Sequence, residues 1–234
     1  MLISGLQKLT LLDFPGHTAC TVFTGGCNLR CPFCHNAVLV TDAASVETIP
    51  EEEFFAFLKK RQGVLSGVAI TGGEPLLQPD IRSFIEKVRA LGYKIKLDTN
   101  GFFPERFIPL AEAGLVDYAA VDIKNCKRRY AETCGREALD LAPIEETVRY
   151  LMEDHVDYEF RTTIVRAFHG KEEIEEIGTW IRGAKRWFLQ NFTDSGDLVG
   201  GIPEEGLREV PKQELLSMLE EARKYVPAAA VRGV

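Results

Sequence analysis

Residues Thr18–Asn36 read TACTVFTGGCNLRCPFCHN. The first part, Thr18–Thr24, is short, apolar and rich in β-branched residues, which reads as a strand. Two glycines then release the chain into a polar loop. Within eight residues that loop carries Cys27, Cys31 and Cys34 at C-x3-C-x2-C spacing. A short irregular loop can turn three Cβ vectors toward one centre, and thiolates are the usual ligands of iron–sulfur clusters. Three thiolates leave one iron of a [4Fe–4S] cluster open, and an open coordination position marks a site that binds substrate. A structural zinc ion would take four ligands, and an electron-carrying cluster four thiolates. Cys126 or Cys134 could supply the fourth, although neither stands in a C-x2-C pair, and His35 adjoins Cys34 too closely to reach the same centre.

Working outward, the same unit recurs. Further strands are expected at Gly67–Thr71, Lys94–Asp98, Tyr118–Asp122, Tyr158–Val165 and Arg186–Gln190, each a short apolar run. Helical stretches alternate with them: Pro50–Arg61, with three Glu in its first turn; Pro79–Leu91 and Pro104–Ala113, each followed by a stop glycine; Pro143–Asp154; and Lys171–Gly183. A last helix is expected at about 211–226, packed on the outside. Strand–helix alternation implies a parallel sheet with right-handed crossovers. The strands read as covered on both faces.

Unusual residues cluster where these strands end. Gly72-Gly73-Glu74 follows the second, Asp98-Thr99-Asn100 ends the third, Asp122-Ile123-Lys124 ends the fourth, and Gln190 ends the sixth. In parallel barrels the C-terminal rim of the strands is where active sites are built. This placement selects a partial (β/α)6 barrel over an open sheet, as one domain over residues 1–234 with its core at about 17–192. Glycine pairs let a backbone approach a ligand closely. Arg161, inside an apolar strand, needs an anionic partner, either a ligand carboxylate or a nearby Asp or Glu. Cys20 reads as a core residue, and Cys126 and Cys134, in the basic stretch CKRRYAETC, as exposed and uninvolved.

Composition narrows the class. Of 234 residues, 45% are hydrophobic and 27% charged, and 28 Lys and Arg against 35 Asp and Glu give a formal charge of −7. That balance argues against nucleic acid and against anionic membranes. No signal peptide or apolar span is read, so a cytoplasmic protein with reduced thiols is expected.

The block CNLRCPFCHN resembles the signature of the radical S-adenosylmethionine (SAM) superfamily, and its CHN flank resembles the activases of glycyl radical enzymes. The opening LQKLTLLDFPG, the block VFTGGCNLRCPFCHN and KLDTNG together are similar to activating proteins of anaerobic ribonucleoside-triphosphate reductase. That resemblance implies one [4Fe–4S] cluster on Cys27, Cys31 and Cys34, with SAM chelating the open iron through its amino and carboxylate groups. It implies Phe33 near the adenine and Gly72-Gly73-Glu74 at the methionyl amine. It places Arg161 and Thr163 at SAM-contacting positions, and Gln190, where related activases carry a His, near the ribose. Asp98 and Asp122, with the carbonyls of Thr99 and Ala120, would hold a monovalent cation (Na+ or K+) beside the SAM carboxylate. Lys124 would assist with SAM or the substrate peptide, and Asp13, in DFPG, would lie near the protein substrate. The implied reaction takes an electron from flavodoxin or ferredoxin, cleaves SAM, and generates a glycyl radical on a partner enzyme.

Overall fold

The computed structural model describes residues 1–194, 196–200 and 207–232. Eight strands form one sheet: β1 (Ile3–Thr10), β2 (Ala19–Thr24), β3 (Gly67–Gly72), β4 (Lys94–Thr99), β5 (Tyr118–Asp122), β6 (Asp157–Ile164), β7 (Trp187–Asn191) and β8 (Ala230–Arg232). The helices are α1 (Ala37–Thr41), α2 (Glu51–Arg61), α3 (Ile81–Ala90), α4 (Pro104–Glu112), α5 (Tyr130–Thr133), α6 (Ala142–Met152), α7 (Lys171–Trp180) and α8 (Lys212–Arg223).

Strands β2 to β8 are parallel and lie side by side in chain order. A doubly wound sheet reverses its strand order at a switch point. Here the order never reverses, so successive right-handed crossovers all travel the same way and lay their helices on one face. The result is the partial barrel expected from the sequence. The sheet nevertheless extends beyond the expected core of about 17–192 at both ends. β1 joins antiparallel to β2, and β8 adds a short edge beside β7. β1 (ISGLQKLT) mixes polar and apolar residues and β8 has only three residues, so neither announces itself as an apolar run.

The two faces of the sheet differ. Outward residues such as Ile95, Leu97 and Phe160 are fully buried in the main core with the helices. α3 shows why its sequence folds there: Ile81, Phe84, Ile85 and Val88 are its buried residues, spaced to line one stripe. The inward side of β4 to β6 carries five charged residues, contrary to the expectation of apolar cover on both faces. Lys96, Asp98, Asp122, Glu159 and Arg161 alternate with the apolar set, and each has an ion-pair partner. Deep in the barrel Glu159 is fully buried, accepts from the Tyr118 hydroxyl at 2.8 Å and receives both terminal nitrogens of Arg232. Phe14, Ala19 and Tyr118 form a small separate apolar cluster. No helix among the described residues is long and apolar enough to cross a membrane.

Candidate active site

A cavity of about 260 Å³ opens at the C-terminal ends of the strands. Its wall includes all three loop cysteines, Phe33, Gly72, Gly73, Asp98, Thr99, Asp122, Lys124, Arg161, Thr163 and Gln190. The residues selected from strand ends and motifs are therefore brought together around one space.

The cysteine loop is held from two sides. On one, the Gly73 N–H donates to the Thr24 carbonyl and the Glu74 N–H to the Gly26 carbonyl, both at 2.8 Å. A Cβ on Gly73 would lie 2.0 Å from the Gly26 carbonyl oxygen. The close approach that demands glycine is thus to the cysteine loop's own backbone, while the same residues line the cavity. The Asn36 amide completes this side, donating to the Gly72 carbonyl at 2.7 Å. On the other side the Arg30 N–H donates to the Cys134 carbonyl at 2.9 Å. Gly135, at φ +65°, passes so near Arg30 that a Cβ would lie 2.1 Å from its carbonyl oxygen. The Asn100 amide spans to the loop as well, 2.7 Å from the Asn28 side-chain oxygen and 3.8 Å from the Cys27 sulfur.

The environment separates the three thiols. Burial pushes Cys27 up to about 11 and raises Cys34. Cys31 is lowered, first by a hydrogen bond from the Cys134 thiol, with the Lys124 charge adding to it. Cys126 and Cys134 are fully buried, which corrects the expectation that both are exposed. The short turns of this segment send its basic side chains outward to Glu145, Glu173, Glu176 and Glu132 while the thiols turn inward. Cys134 contacts Cys31 from behind and does not line the cavity.

Past the cysteines the cavity wall is a run of charges. Lys96 Nζ bonds Asp98 Oδ1. Arg161 Nη1 bonds Asp98 Oδ2, and its Nε bonds Asp122 Oδ1, both at 2.9 Å. Lys124 Nζ bonds Asp122 Oδ2 at 3.0 Å. Burial works against ionising Asp98 and Asp122, but Arg161 with Lys96 or Lys124 outweighs it and holds both below the usual carboxylate range. Burial likewise opposes the charges on Lys124 and Arg161, yet the two carboxylates raise both. This arrangement does not fit the expected monovalent cation: the Arg161 guanidinium stands between the two carboxylates. Ala120 is fully buried and forms no part of the cavity wall.

Two more expectations are corrected. Glu74 does not face the cavity. It is fully buried, and its carboxylate accepts from the Leu76 N–H at 3.0 Å, the Thr99 hydroxyl at 2.8 Å and the Asn100 N–H at 2.7 Å. Burial pushes it up to about 7 against those three donors, so it acts as a staple between the β3 and β4 loops. Asp13 lies at the far end of the barrel, because β1 runs antiparallel and its loop to β2 falls where the parallel strands begin. There it accepts from the Thr21 hydroxyl at 2.5 Å.

Sequence reasoning passed over Lys96, Asn36 and His169 and assigned no role to Asn100. Period-2 alternation in KIKLD puts Lys96 on the face of Asp98, a signal that was available. His169 is buried, with Nε2 donating to the Lys124 carbonyl at 2.9 Å and Nδ1 accepting from the Val165 N–H at 3.1 Å. It fixes the strand end that carries Lys124.

The donor set suits a cluster. The three thiols share one cavity, and thiolates are the usual ligands of iron–sulfur clusters. Residues 21–182 match the Radical SAM superfamily. The chain belongs to the radical SAM superfamily. Membership implies an enzyme with a [4Fe–4S] cluster and SAM as its cofactors. The chain is 28% identical, over its whole length and 96% of the relative's, to a Methanocaldococcus jannaschii protein provisionally named a glycyl-radical enzyme activating enzyme. It is 34% identical to the 7-carboxy-7-deazaguanine synthase of Koribacter versatilis, over 62% of this chain and 61% of that one. Among solved structures, SuiB of Streptococcus suis bound to SAM superposes with a TM-score of 0.68 at 16% identity. The match covers 91% of this chain and 52% of SuiB, so the chain spans about half of SuiB's length. A domain of a pyruvate-formate lyase-activating enzyme from Bacteroides vulgatus superposes at 0.56 and 16% identity, covering 72% of this chain and 99% of that domain. At such identities these likenesses establish the fold alone.

Proposed function

We propose that this radical SAM enzyme is an activase that generates a glycyl radical on a partner enzyme, and that the partner is an anaerobic ribonucleoside-triphosphate reductase, with flavodoxin or ferredoxin as electron donor. The observation that carries the SAM-cleaving part is the meeting of Cys27, Cys31 and Cys34 in one cavity with the charged strand ends. The activase part is supported by the full-length similarity to the M. jannaschii protein and by the motifs LQKLTLLDFPG and CPFCHN.

When bound, the cluster supplies the electron that breaks a carbon–sulfur bond of SAM. The protein's share is positioning. Cys27, Cys31 and Cys34 would hold the cluster, with Asn100 donating toward the Cys27 sulfur. Arg161 and Lys124 present cationic donors for the SAM carboxylate, and the Gly72-Gly73 backbone offers a polar edge for its amine. Phe33, buried and 5.8 Å from the Phe168 ring, gives an apolar wall for the adenine, and Thr163 and Gln190 line the same cavity. Enclosure keeps water from the reacting atoms. The partner's glycine loop must enter this cavity, so association involves a mobile segment of the partner.

The test is anaerobic reconstitution with iron and sulfide, followed by dithionite and SAM. Release of 5′-deoxyadenosine, lost in Cys31→Ala, supports SAM cleavage. A glycyl-radical EPR doublet on adding the reductase supports the partner. A doublet only with a formate-lyase homologue overturns that choice. The similarity to a deazaguanine synthase favours a second reading, a small-molecule substrate; it predicts 5′-deoxyadenosine formation with no protein radical on either partner.

A further inference from the structure

We propose that Lys96, Asp98, Arg161, Asp122 and Lys124 form a fixed charge ladder that does the work of a metal cation beside the SAM carboxylate, so that SAM binding here is independent of Na+ and K+. This rests on the reading that SAM occupies the cavity.

Strand register sets the arrangement. Asp122 and Arg161 are direct partners on β5 and β6. Asp98 sits one strand further, on β4, opposite Ala120. Alanine is small enough for the Arg161 side chain to cross β5 and reach Asp98. Lys96 is two residues before Asp98 on β4, so strand alternation points it to the same side, while Lys124, two residues past the end of β5, reaches Asp122 directly. Each of the four carboxylate oxygens then receives a different donor: Oδ1 of Asp98 from Lys96, Oδ2 of Asp98 from Arg161 at 2.9 Å, Oδ1 of Asp122 from Arg161 at 2.9 Å, and Oδ2 of Asp122 from Lys124 at 3.0 Å.

A monovalent ion held between the two aspartates would need their oxygens turned toward one point. Instead the guanidinium bridges them and a lysine draws each outer oxygen away. Three cations against two anions leave one net positive charge, which repels a further cation and matches the single negative charge of a carboxylate ligand. Among the described residues Arg161 Nη2 has no protein partner, and no buried side-chain nitrogen or oxygen is left unpaired, so this donor is open to the cavity that Arg161 lines. Lys96 is the positioning residue. Its side chain is 2% exposed and touches no ligand, but without it one Asp98 oxygen would be left free and the net charge would fall to zero.

The test measures SAM dissociation constants by anaerobic equilibrium dialysis of the cluster-loaded protein, in KCl, NaCl or choline chloride at equal ionic strength. The wild type should bind equally in all three, within about twofold. In choline chloride Lys96→Met should bind about a hundredfold more weakly, the upper scale for losing a hydrogen bond to a charged group. Addition of K+ or Na+ should recover that loss, and Lys96→Arg should retain the wild-type behaviour. Loss of wild-type affinity in choline chloride, restored by K+ or Na+, overturns the ladder while leaving SAM binding intact. Absence of SAM binding in every salt overturns the ladder together with the proposed function.

Discussion

Gly73→Ala isolates the backbone crossing that shapes the cysteine loop. The added Cβ would stand 2.0 Å from the Gly26 carbonyl oxygen and 2.7 Å from its carbon, both backbone atoms. Neither can swing aside as a side-chain tip would, so the two loops must part by an ångström or more. Parting them stretches the Gly73-to-Thr24 and Glu74-to-Gly26 hydrogen bonds, now 2.8 Å each. Two such bonds contribute roughly 1 kcal/mol apiece, and overpacking adds about 1–3 kcal/mol, so a loss of about 3–5 kcal/mol is expected. Because Gly26 immediately precedes Cys27, the variant should also lose most of its capacity to take up iron. The assays are urea unfolding of the metal-free protein and iron and sulfide content after anaerobic reconstitution. Gly5→Ala is the control, since its Cβ meets Phe23 only at an ordinary 3.5 Å. A Gly73→Ala protein with full iron content and stability within about 1 kcal/mol of Gly5→Ala would refute the reasoning.

Two further predictions concern protons. Burial pushes His169 down to about 4, from an ordinary 6.5, so the unfolded chain binds the proton more tightly; stability should fall as pH drops through this window, by about 3 kcal/mol in all. Glu74 is shifted oppositely, up to about 7 from 4.5; the folded state holds its proton more tightly, and stability should fall as pH rises through that range. The two windows overlap with opposite signs, so in the wild type they largely cancel between about pH 4.5 and 6.5. Urea midpoints check the pair: His169→Gln should uncover a stability that falls as pH rises and Glu74→Gln one that falls as pH drops, and variant curves parallel to the wild type would contradict both. Cys134→Ala should raise the Cys31 pKa, because the thiol hydrogen bond that lowers it is lost. Alkylation of Cys31 in the metal-free protein, followed by mass spectrometry against pH, reads that shift, and an unchanged profile would show that the two thiols do not communicate.

Much of the site was legible because its chemistry sits at the ends of strands that are themselves legible. GVAIT and YAAVD are short apolar runs and KIKLD alternates apolar with charged residues, and each stops at Gly, Asp or Asn, so the rim could be assembled without tertiary information. What escaped depends on partners far apart in the chain. Arg161 reaches Asp98 across an intervening strand, and the sequence left its partner open between a ligand and a protein carboxylate. That one contact decides against a cation. Glu74 was expected at the ligand because Gly72-Gly73-Glu74 resembles the family's motif; the Asn100 and Thr99 donors that turn it inward come from the next β-loop. Asp13 was misplaced because β1, an edge strand of mixed character, was not read as a strand, and its direction sends the DFPG loop to the far end. Cys126 and Cys134 sit among basic residues, and composition alone hides that tight turns sort charges outward and thiols inward.

In the proposed reaction three thiolates hold the cluster and leave one iron for SAM. Mössbauer spectroscopy of protein reconstituted with iron-57, recorded with and without SAM, addresses it directly. A single iron site should change its isomer shift when SAM is added, in the wild type and in Cys134→Ala alike. A spectrum unmoved by SAM, with every iron already carrying a protein ligand, would contradict it.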